Sequence, residues 1–241
     1  MRGGRLTVVG TGIDVTTQLA PGAVVAIRAA DAVFYVLADP VAALRVEELN
    51  PQARSLDSLY APDKDRRITY EEMVETVVTE ALAGSDVCLV AYGHPGVFAW
   101  AGHEAVARVR AAGLPAQMLP AISALDCLYA DLGIDPGRSG LQAYEASHFL
   151  AARPPVDPRA TLVLLQVGML GETGGAPTGA SAERFPILAD LLRELYGPVR
   201  ECLLYEASPY PGVDASIVRF GLGETDLPTP SVLATLCVPP E

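Results

Sequence analysis

Apolar and polar positions follow two periodicities along the first half of the chain. Short continuous apolar runs are typical of strands buried on both faces, whereas apolar residues that recur every three or four positions are typical of helices. The runs predict strands over residues 6–9, 32–37 and 86–91. The helical spacing predicts helices over residues 24–30, 70–82 and 103–112. Strands that alternate with helices in this way predict a mostly parallel sheet that helices cover on both faces.

A second series of elements begins after residue 119. Apolar runs predict strands over residues 161–167, 201–205 and 231–238, and helical spacing predicts helices over residues 123–132 and 187–196. The sequence therefore predicts two α/β domains, residues 1–119 and residues 120–241. The glycine-rich stretch from Gly171 to Gly179 fits either a flexible surface loop or a lid that covers a substrate.

Composition and charge narrow the class of protein. A chain of 241 residues can bury a substantial core without disulfides or metal. Its net charge of −12 repels polyanions, so nucleic acid is not an expected partner. The four cysteines form no C-x-x-C pair and have no histidines at zinc-ligand spacing, so we expect no metal site and interpret them as core residues in a reducing compartment.

The sequence also bears on location. No apolar run reaches the roughly 18 to 20 residues that span a bilayer. The N-terminus enters a strand and does not contain the core of a signal peptide. We therefore expect a soluble, cytoplasmic protein without a membrane partner.

A glycine pair follows the first predicted strand. Gly10 and Gly12 match the start of the dinucleotide-binding pattern G-x-G-x-x-G, but position 15 is Val15 and the third glycine is missing. A nicotinamide-type site is therefore not expected. Taken alone, the pair indicates a tight turn.

Four segments together resemble the tetrapyrrole-methylase superfamily. They are residues 9–13, the Gly-x-Pro loop at residues 93–95, residues 120–124 and the closing strand. The resemblance covers essentially the whole chain. It implies a two-domain α/β fold, the class III methyltransferase fold, with S-adenosylmethionine bound in the cleft between the domains and released as S-adenosylhomocysteine.

Three further segments resemble the borosin peptide N-methyltransferases, which methylate backbone amides. They cover residues 92–98, 118–136 and 144–149, of which the second is long and specific. Porphyrin methylases usually carry an acidic residue where this chain has His94. That difference also favours the branch of the superfamily that modifies peptides.

This resemblance implies a set of site residues. It places a catalytic cluster at Tyr60, Arg66, Tyr70 and Tyr92, with Arg66 matching better than its neighbour Arg67 by its spacing to Tyr70. The residues implied to bind the cofactor are Tyr92, His94, Pro95, Val97, Phe98, Ser123, Ala124, Gln166, Val167, Ala207, Ala234 and Thr235. The backbone at Gly96 is expected to approach the cofactor closely.

The proposed chemistry explains why these residue types are needed. An amide nitrogen is a poor nucleophile because its lone pair is delocalised into the carbonyl group, so an enzyme must supply a base and stabilise the carbonyl oxygen. Tyr70 is the expected base, and Arg66 is expected to favour its phenolate. Tyr60 and Tyr92 would position the amide or donate to its oxygen.

Simpler structural roles remain open for several of these residues. Arg66 and Tyr70, four apart at a helix start, could only stack on one helix face. His94 could make only a backbone hydrogen bond. Ser123 and Thr235 could be a helix cap and a strand hydroxyl.

Two rival functions share this fold. A methylase of tetrapyrroles or another small metabolite would use the same cofactor, although the acidic charge disfavours a carboxylate-rich substrate. A cofactor-binding dimeric scaffold without turnover is the other, although the tyrosine and arginine set argues against it.

The resemblance carries two expectations about partners. Residues 239–241 fall where the methyltransferase domain itself would finish, so we expect the substrate to be a separate precursor peptide. Relatives pair extensively and 50% of the residues are hydrophobic, so we also expect a homodimer.

Overall fold

The computed structural model describes residues 3–61, 64–174 and 179–240. It divides into two compact units, Met1–Cys127 with Ser208–Val213, and Leu128–Ala207 with Asp214–Glu241. The chain first passes between the units at residue 127, eight residues after the domain boundary expected from the sequence.

The first unit contains a five-stranded sheet in the order β3-β2-β4-β1-β5. All its pairings are parallel. Its strands are β1 (Arg5–Gly10), β2 (Ala32–Val36), β3 (Arg54–Ser55), β4 (Asp86–Ala91) and β5 (Ala116–Met118). Its helices are α1 (Val15–Gln18), α2 (Pro21–Ala29), α3 (Pro40–Leu49), α4 (Arg66–Leu82) and α5 (Trp100–Ala111).

Helices cover both faces of this sheet. Leu6 and Val8 of β1 pack with residues of α4 and α5. Val9 points to the opposite face, where it packs with residues of α1, α2 and α3. Because successive side chains of a strand alternate between faces, a strand buried on both faces is apolar throughout. The expectation of a parallel sheet covered on both faces is confirmed for this unit.

The connections that follow β1 and β4 leave in opposite directions. The chain passes from β1 through α1 and α2 to β2, and from β4 through α5 to β5, on the other face of the sheet. Neighbouring parallel strands whose connections leave to opposite faces of the sheet open a crevice at their carboxyl ends, where ligands of α/β proteins bind. The strand order therefore predicts a ligand site at the loops after β1 and β4.

Backbone groups join these two loops directly. The amide of Gly12 donates to the carbonyl of Gly93 at 3.3 Å, and the amide of Gly93 donates to the carbonyl of Gly12 at 3.1 Å. Gly10 lies so close that a Cβ atom there would stand 2.0 Å from the Gly93 carbonyl oxygen. Glycine at position 10 is thus required by the close approach of two backbone segments, whereas Gly12 has φ of +71°, a left-handed conformation that favours glycine.

The second unit has a mixed five-stranded sheet in the order β6-β7-β10-β8-β9. Its strands are β6 (Leu141–Glu145), β7 (Thr161–Leu165), β8 (Glu201–Glu206), β9 (Ser216–Gly221) and β10 (Thr235–Val238). The remaining helices are α6 (Ala124–Leu132), which crosses the boundary between the units, α7 (Pro136–Ser139), α8 (Ala146–Ala152) and α9 (Ala180–Tyr196). Only the β6–β7 pairing is parallel.

One face of the second sheet forms a core with α8 and α9. Phe149 of α8 and Leu188 and Leu192 of α9 are fully buried against Leu164 of β7 and Leu236 of β10. The opposite face is also buried, and the hydroxyl of Tyr205 in β8 donates to Asp131 of α6 at 2.6 Å. A strand set buried in this way explains the continuous apolar runs in the second half of the sequence.

Most elements expected from the sequence are present, with altered ends. The helix expected from residue 187 begins at Ala180, and Pro186, which ordinarily interrupts a helix, lies inside it. The closing strand is shorter than expected and begins at Thr235. The short or exposed strands β3, β5, β6 and β9 were not expected, because they lack a continuous apolar run.

Three further expectations concern the cysteines, membrane-spanning helices and the glycine-rich stretch. Cys88, Cys202 and Cys237 are buried core residues, and Cys127 is half-buried; none of these four described residues forms a disulfide. Within the described ranges, no helix combines the length and the apolar character that crossing a membrane requires. The glycine-rich stretch lies partly outside the described residues, since residues 175–178 are not among them.

Replacing Gly10 should destabilise the fold. We expect Gly10→Ala to lower the free energy of unfolding by about 1–3 kcal/mol, because the new methyl group meets a backbone oxygen that cannot move aside. Gly22→Ala is the matched control, since a Cβ atom there would meet only Leu119 Cδ1 at 3.7 Å. That variant should unfold at the same urea concentration as the parent or at a slightly higher one. Equal midpoints for the two variants would contradict the close approach at Gly10.

Candidate functional site

The four candidate catalytic residues all belong to the first unit. Tyr60 follows a short 3₁₀ turn, Asp57–Leu59, that comes directly after β3. Arg66 and Tyr70 lie in the first turns of α4, and Tyr92 comes directly after β4. All four are therefore near the carboxyl ends of strands or in the helix that follows, as expected for an α/β ligand site.

Tyr60 and Tyr70 form a pair. Their ring centroids are 6.5 Å apart and the ring planes meet at 86°, an edge-to-face arrangement. Both rings pack against the core that β1, α4 and α5 form.

The surroundings of Tyr60 raise the pKa of its phenol. Burial is the largest cause, followed by the neighbouring Tyr70, whose partial charge and hydrogen bond both favour the neutral phenol. The charge of Arg66 acts in the opposite direction and lowers the pKa of Tyr60, while Asp57 raises it slightly. Arg66 therefore acts on the phenol of Tyr60, whereas the sequence hypothesis directed its charge to Tyr70.

The two adjacent arginines of α4 have different surroundings. The side chain of Arg67 is 90% exposed and is paired with Asp65 at 3.1 Å. Asp65 is the N-cap of α4 and accepts from the Arg67 amide at 2.8 Å. Arg66 is half-buried and close enough to Tyr60 to affect its ionisation. The structure thus brings together Tyr60, Tyr70 and Arg66, and Arg67 faces solvent.

Tyr92 lies apart from this pair. Its amide donates to the carbonyl of Val36 at the end of β2 at 3.2 Å. Its side chain packs with the core on the face of α1, α2 and α3. Within the first unit, therefore, Tyr92 does not share the packing of Tyr60 and Tyr70.

Two histidines hold the loop after β4. The amide of Gly96 donates to Nδ1 of His94 at 2.9 Å, so the neutral ring of His94 carries its proton on Nε2. Nε2 of His103 lies 3.0 Å from the Gly96 carbonyl and must donate, because the carbonyl can only accept. His94 thus makes the backbone hydrogen bond that the sequence left open. His103, on α5, was missed because nothing near it in the sequence indicates this contact.

Neighbouring side chains, and not the expected approach to a cofactor, leave little space at Gly96. A Cβ atom at Gly96 would stand 2.8 Å from Met118 Sδ and 3.3 Å from each of the two histidine rings. The need for glycine here is explained by packing within the protein, so a substitution at Gly96 would not report on approach to a ligand.

The loop ends in a strained residue. Phe98 has φ of +52°, a left-handed conformation that costs energy for a bulky side chain, and it is 41% exposed. Val97 and Phe98 precede α5, and Pro95 is buried beneath them. Strain of this kind is concentrated at functional sites.

Ser123 forms a helix cap. Its hydroxyl donates to the carboxylate of Asp126 at 2.6 Å, and its amide donates to the same oxygen at 2.7 Å. The Asp126 amide in turn approaches the Ser123 hydroxyl at 3.4 Å. This reciprocal pattern is that of a capping box, and Ala124 is the first residue of the helix it starts. The cap alternative is therefore the role that the geometry gives Ser123.

The candidate cofactor residues of the second unit gather at one edge of its sheet. Gln166 and Val167 follow β7, Ala207 follows β8, and Ala234 and Thr235 are at the start of β10. Because β10 is antiparallel to β7 and β8, its amino end lies beside their carboxyl ends. Residues far apart in the sequence are thereby brought to a single edge.

The backbone at this edge is tightly fixed. The Val167 amide donates to the Ala234 carbonyl at 3.1 Å. Gln166 has φ of +59° and an exposed side chain, a second strained residue among the candidates. A Cβ atom at Gly168 would stand 1.7 Å from the Ser231 carbonyl oxygen. Thr235 is buried at the start of β10.

Comparison with known proteins identifies related chains. The family Tetrapyrrole (Corrin/Porphyrin) Methylases matches residues 5–214. A methyltransferase and cyclic peptide dendrothelin A precursor from Dendrothele bispora is 40% identical over 221 residues, 92% of this chain and 53% of the relative. A methyltransferase and cyclic peptide omphalotin A precursor from Omphalotus olearius is 41% identical over 213 residues, 88% of this chain and 51% of the relative.

A solved structure shows the same fold. The uroporphyrin-III-C-methyltransferase of Thermus thermophilus superimposes with a TM-score of 0.66 at 23% identity, covering 99% of this chain and 93% of that one. The fold class expected from the sequence is therefore confirmed. The chain spans about half the length of the two fungal relatives.

Titration of Tyr60 tests the electrostatics of the pair. Arg66→Ala should raise the pKa of Tyr60 further, because it removes the cation that lowers it, and Tyr70→Phe should lower it. Phenolate absorbance recorded against pH gives the value, with the Tyr60→Phe spectrum subtracted to isolate Tyr60 among the nine tyrosines. Arg67→Ala is the matched control and should leave the titration of Tyr60 unchanged. A shift in this control as large as that of Arg66→Ala would refute the assignment of Arg66.

Proposed function

Because the chain belongs to the Tetrapyrrole (Corrin/Porphyrin) Methylase family, we propose that it is an S-adenosylmethionine-dependent methyltransferase that methylates backbone amide nitrogens of a peptide. Two relatives of about 40% identity are named as methyltransferases joined to ribosomally synthesised cyclic peptide precursors. Those names support a peptide as the substrate class here. The observation that carries the proposal is the edge-to-face Tyr60–Tyr70 pair, with Arg66 close enough to affect the ionisation of Tyr60.

The residues of the loop after β4 fit a bound S-adenosylmethionine. The loop between Gly93 and Phe98 lies at the switch point of the first sheet and ends in a strained, exposed aromatic residue. Bound S-adenosylmethionine would supply an electrophilic methyl group on a sulfonium that leaves as a neutral thioether, S-adenosylhomocysteine. In the proposal His94, Pro95, Val97 and Phe98 contact the cofactor.

The other cofactor residues retain their proposed role with one difference. Ser123 contributes through the backbone that its cap fixes, because its hydroxyl is already engaged by Asp126. In the second unit, the proposal includes the edge residues Gln166, Val167, Ala207, Ala234 and Thr235.

The two tyrosines have distinct proposed roles. Burial keeps the proton on Tyr60, so Tyr60 is proposed as the member of the pair that donates. Tyr70 is the proposed base and takes the amide proton as its phenolate, because a neutral phenol cannot take a second proton. The proton of the amide passes to Tyr70 as the nitrogen forms its new bond to the methyl carbon. The cationic Arg66 stabilises the negative charge shared by the two phenol oxygens.

Tyr92 has a supporting role in the proposal. Its backbone is fixed between β4 and β2, and its ring packs on the far face of the sheet from the tyrosine pair. We therefore assign it to positioning the β4 loop, and direct donation to the substrate carbonyl stays a prediction from the sequence. The separate precursor chain and the homodimer also stay predictions.

Cofactor binding is the first test. Calorimetric titration of the purified chain with S-adenosylmethionine or S-adenosylhomocysteine should give saturable heat. Phe98→Gly relieves backbone strain but removes the exposed ring, so it should weaken binding while increasing the free energy of unfolding. Absence of both binding heat and co-purified cofactor would refute the proposal that the chain binds S-adenosylmethionine.

Turnover tests the roles of the pair. Tyr70→Phe and Arg66→Ala should each reduce methylation of a peptide supplied in trans by about 100-fold to 10,000-fold, because each removes part of the base. Mass spectrometry with fragmentation would locate the added methyl groups on backbone nitrogens. Cofactor binding by the same variants should stay within a factor of about three, since neither side chain is assigned to the cofactor.

Several outcomes would contradict this proposal in different ways. Wild-type rates in both variants would remove the tyrosine base from the mechanism. Methyl groups on side chains, or on an added tetrapyrrole, would keep the fold and the cofactor and replace the substrate. The Arg67→Ala variant should methylate the peptide at the wild-type rate, and it serves as the control for effects of expression and purification.

A further inference from the structure

Lys64 makes two polar contacts beside the tyrosine pair. It is the only lysine of the chain, and its side chain is only 22% exposed. Its ammonium group donates to the carbonyl oxygen of Leu59 at 2.7 Å. It also forms an ion pair with Glu72 on α4. A lysine with this little exposure and both a carbonyl and a carboxylate partner is more than a solvated surface charge.

The carbonyl group that Lys64 binds belongs to the peptide bond that leads into Tyr60. The same Leu59 oxygen lies 3.4 Å from the hydroxyl of Thr69, which is fully buried and directly precedes Tyr70. One oxygen is thus held both by Lys64 and by the residue next to Tyr70. Rotation of this peptide group would carry the ring of Tyr60 away from Tyr70.

Glu72 completes a connection back to the catalytic helix. Because Glu72 lies on α4, its ion pair with Lys64 ties the segment around Tyr60 to the helix that carries Tyr70. The Lys64 amide also donates to the Ala61 carbonyl at 3.2 Å. An isolated surface ion pair contributes little, but this one shares its cation with a backbone carbonyl in a half-buried setting.

We propose that Lys64 is a positioning residue for methyl transfer, which holds the peptide group before Tyr60 so that the ring of Tyr60 stays in its edge-to-face position against Tyr70. The proposal rests on the proposed function, because it assigns Lys64 to that catalytic pair. Lys64 touches neither the cofactor nor the substrate in this role. Its side chain acts only through the orientation of Tyr60.

The test uses Lys64→Met, which keeps a long side chain and removes the donors and the charge. We expect kcat to fall by about 100-fold, the size of effect that misplacement of a catalytic group produces, with cofactor affinity unchanged. Lys64→Arg, which retains charge and donors, should recover a large part of this loss. In a Tyr60→Phe background the same Lys64→Met change should have little further effect, because the two residues act through one contact.

A second readout separates positioning from loss of charge. Burial and Tyr70 raise the pKa of Tyr60, so a Tyr60 released from Tyr70 by Lys64→Met should ionise at lower pH. Loss of a nearby cation alone would shift the ionisation in the opposite direction. The phenolate titration, corrected with Tyr60→Phe, is independent of whether the chain methylates peptides. Failure of the proposed function therefore leaves this measurement interpretable.

The controls cover folding and general effects of charge removal. Arg45→Met removes an exposed cation that is paired with Glu48 on α3, on the opposite face of the sheet, and should change neither kcat nor the titration. If Lys64→Met does not fold, as judged by circular dichroism, Glu72→Gln carries the same test with a smaller expected shift. An unchanged or upward-shifted Tyr60 titration in folded Lys64→Met or, failing that, in Glu72→Gln would overturn the proposal.

Discussion

The close contact between the loops after β1 and β4 is the constraint on which the first unit depends. Gly12 and Gly93 exchange backbone hydrogen bonds, and Gly10 approaches the Gly93 carbonyl so closely that no side chain fits. These bonds satisfy backbone groups at the point where the connections diverge to opposite faces of the sheet. The carboxyl edge is thereby left free for function, and the loop that carries His94 and Phe98 starts from a fixed position.

The chemistry of the candidate site depends on a balance between burial and charge. Burial and Tyr70 favour the neutral phenol of Tyr60, and Arg66 opposes them. In the proposed mechanism, the two phenols offer a base and a donor side by side. The proposed role of Lys64 is separate from these charge effects, because its ammonium group binds the backbone carbonyl of Leu59 and not a phenol.

The family shows that the fold alone does not decide the substrate. The uroporphyrin methyltransferase of Thermus thermophilus shares this fold at 23% identity, whereas the relatives of about 40% identity are joined to peptide precursors. One fold serves different substrates when the loops at its strand ends change. In this chain the loop after β4 carries His94, which hydrogen-bonds within that loop.

The sequence by itself determined the fold of the first unit, the family and the candidate residue types. Apolar runs and helical spacing report burial directly, so β1, β4 and the body of α4 were predicted almost to the residue. Strand direction in the second sheet, the capping role of Ser123 and the contact of Arg66 with Tyr60 were decided only by the tertiary structure. The physical reason is that hydrophobic periodicity is a local property, whereas strand pairing and ionisation depend on groups that folding brings together from distant parts of the chain.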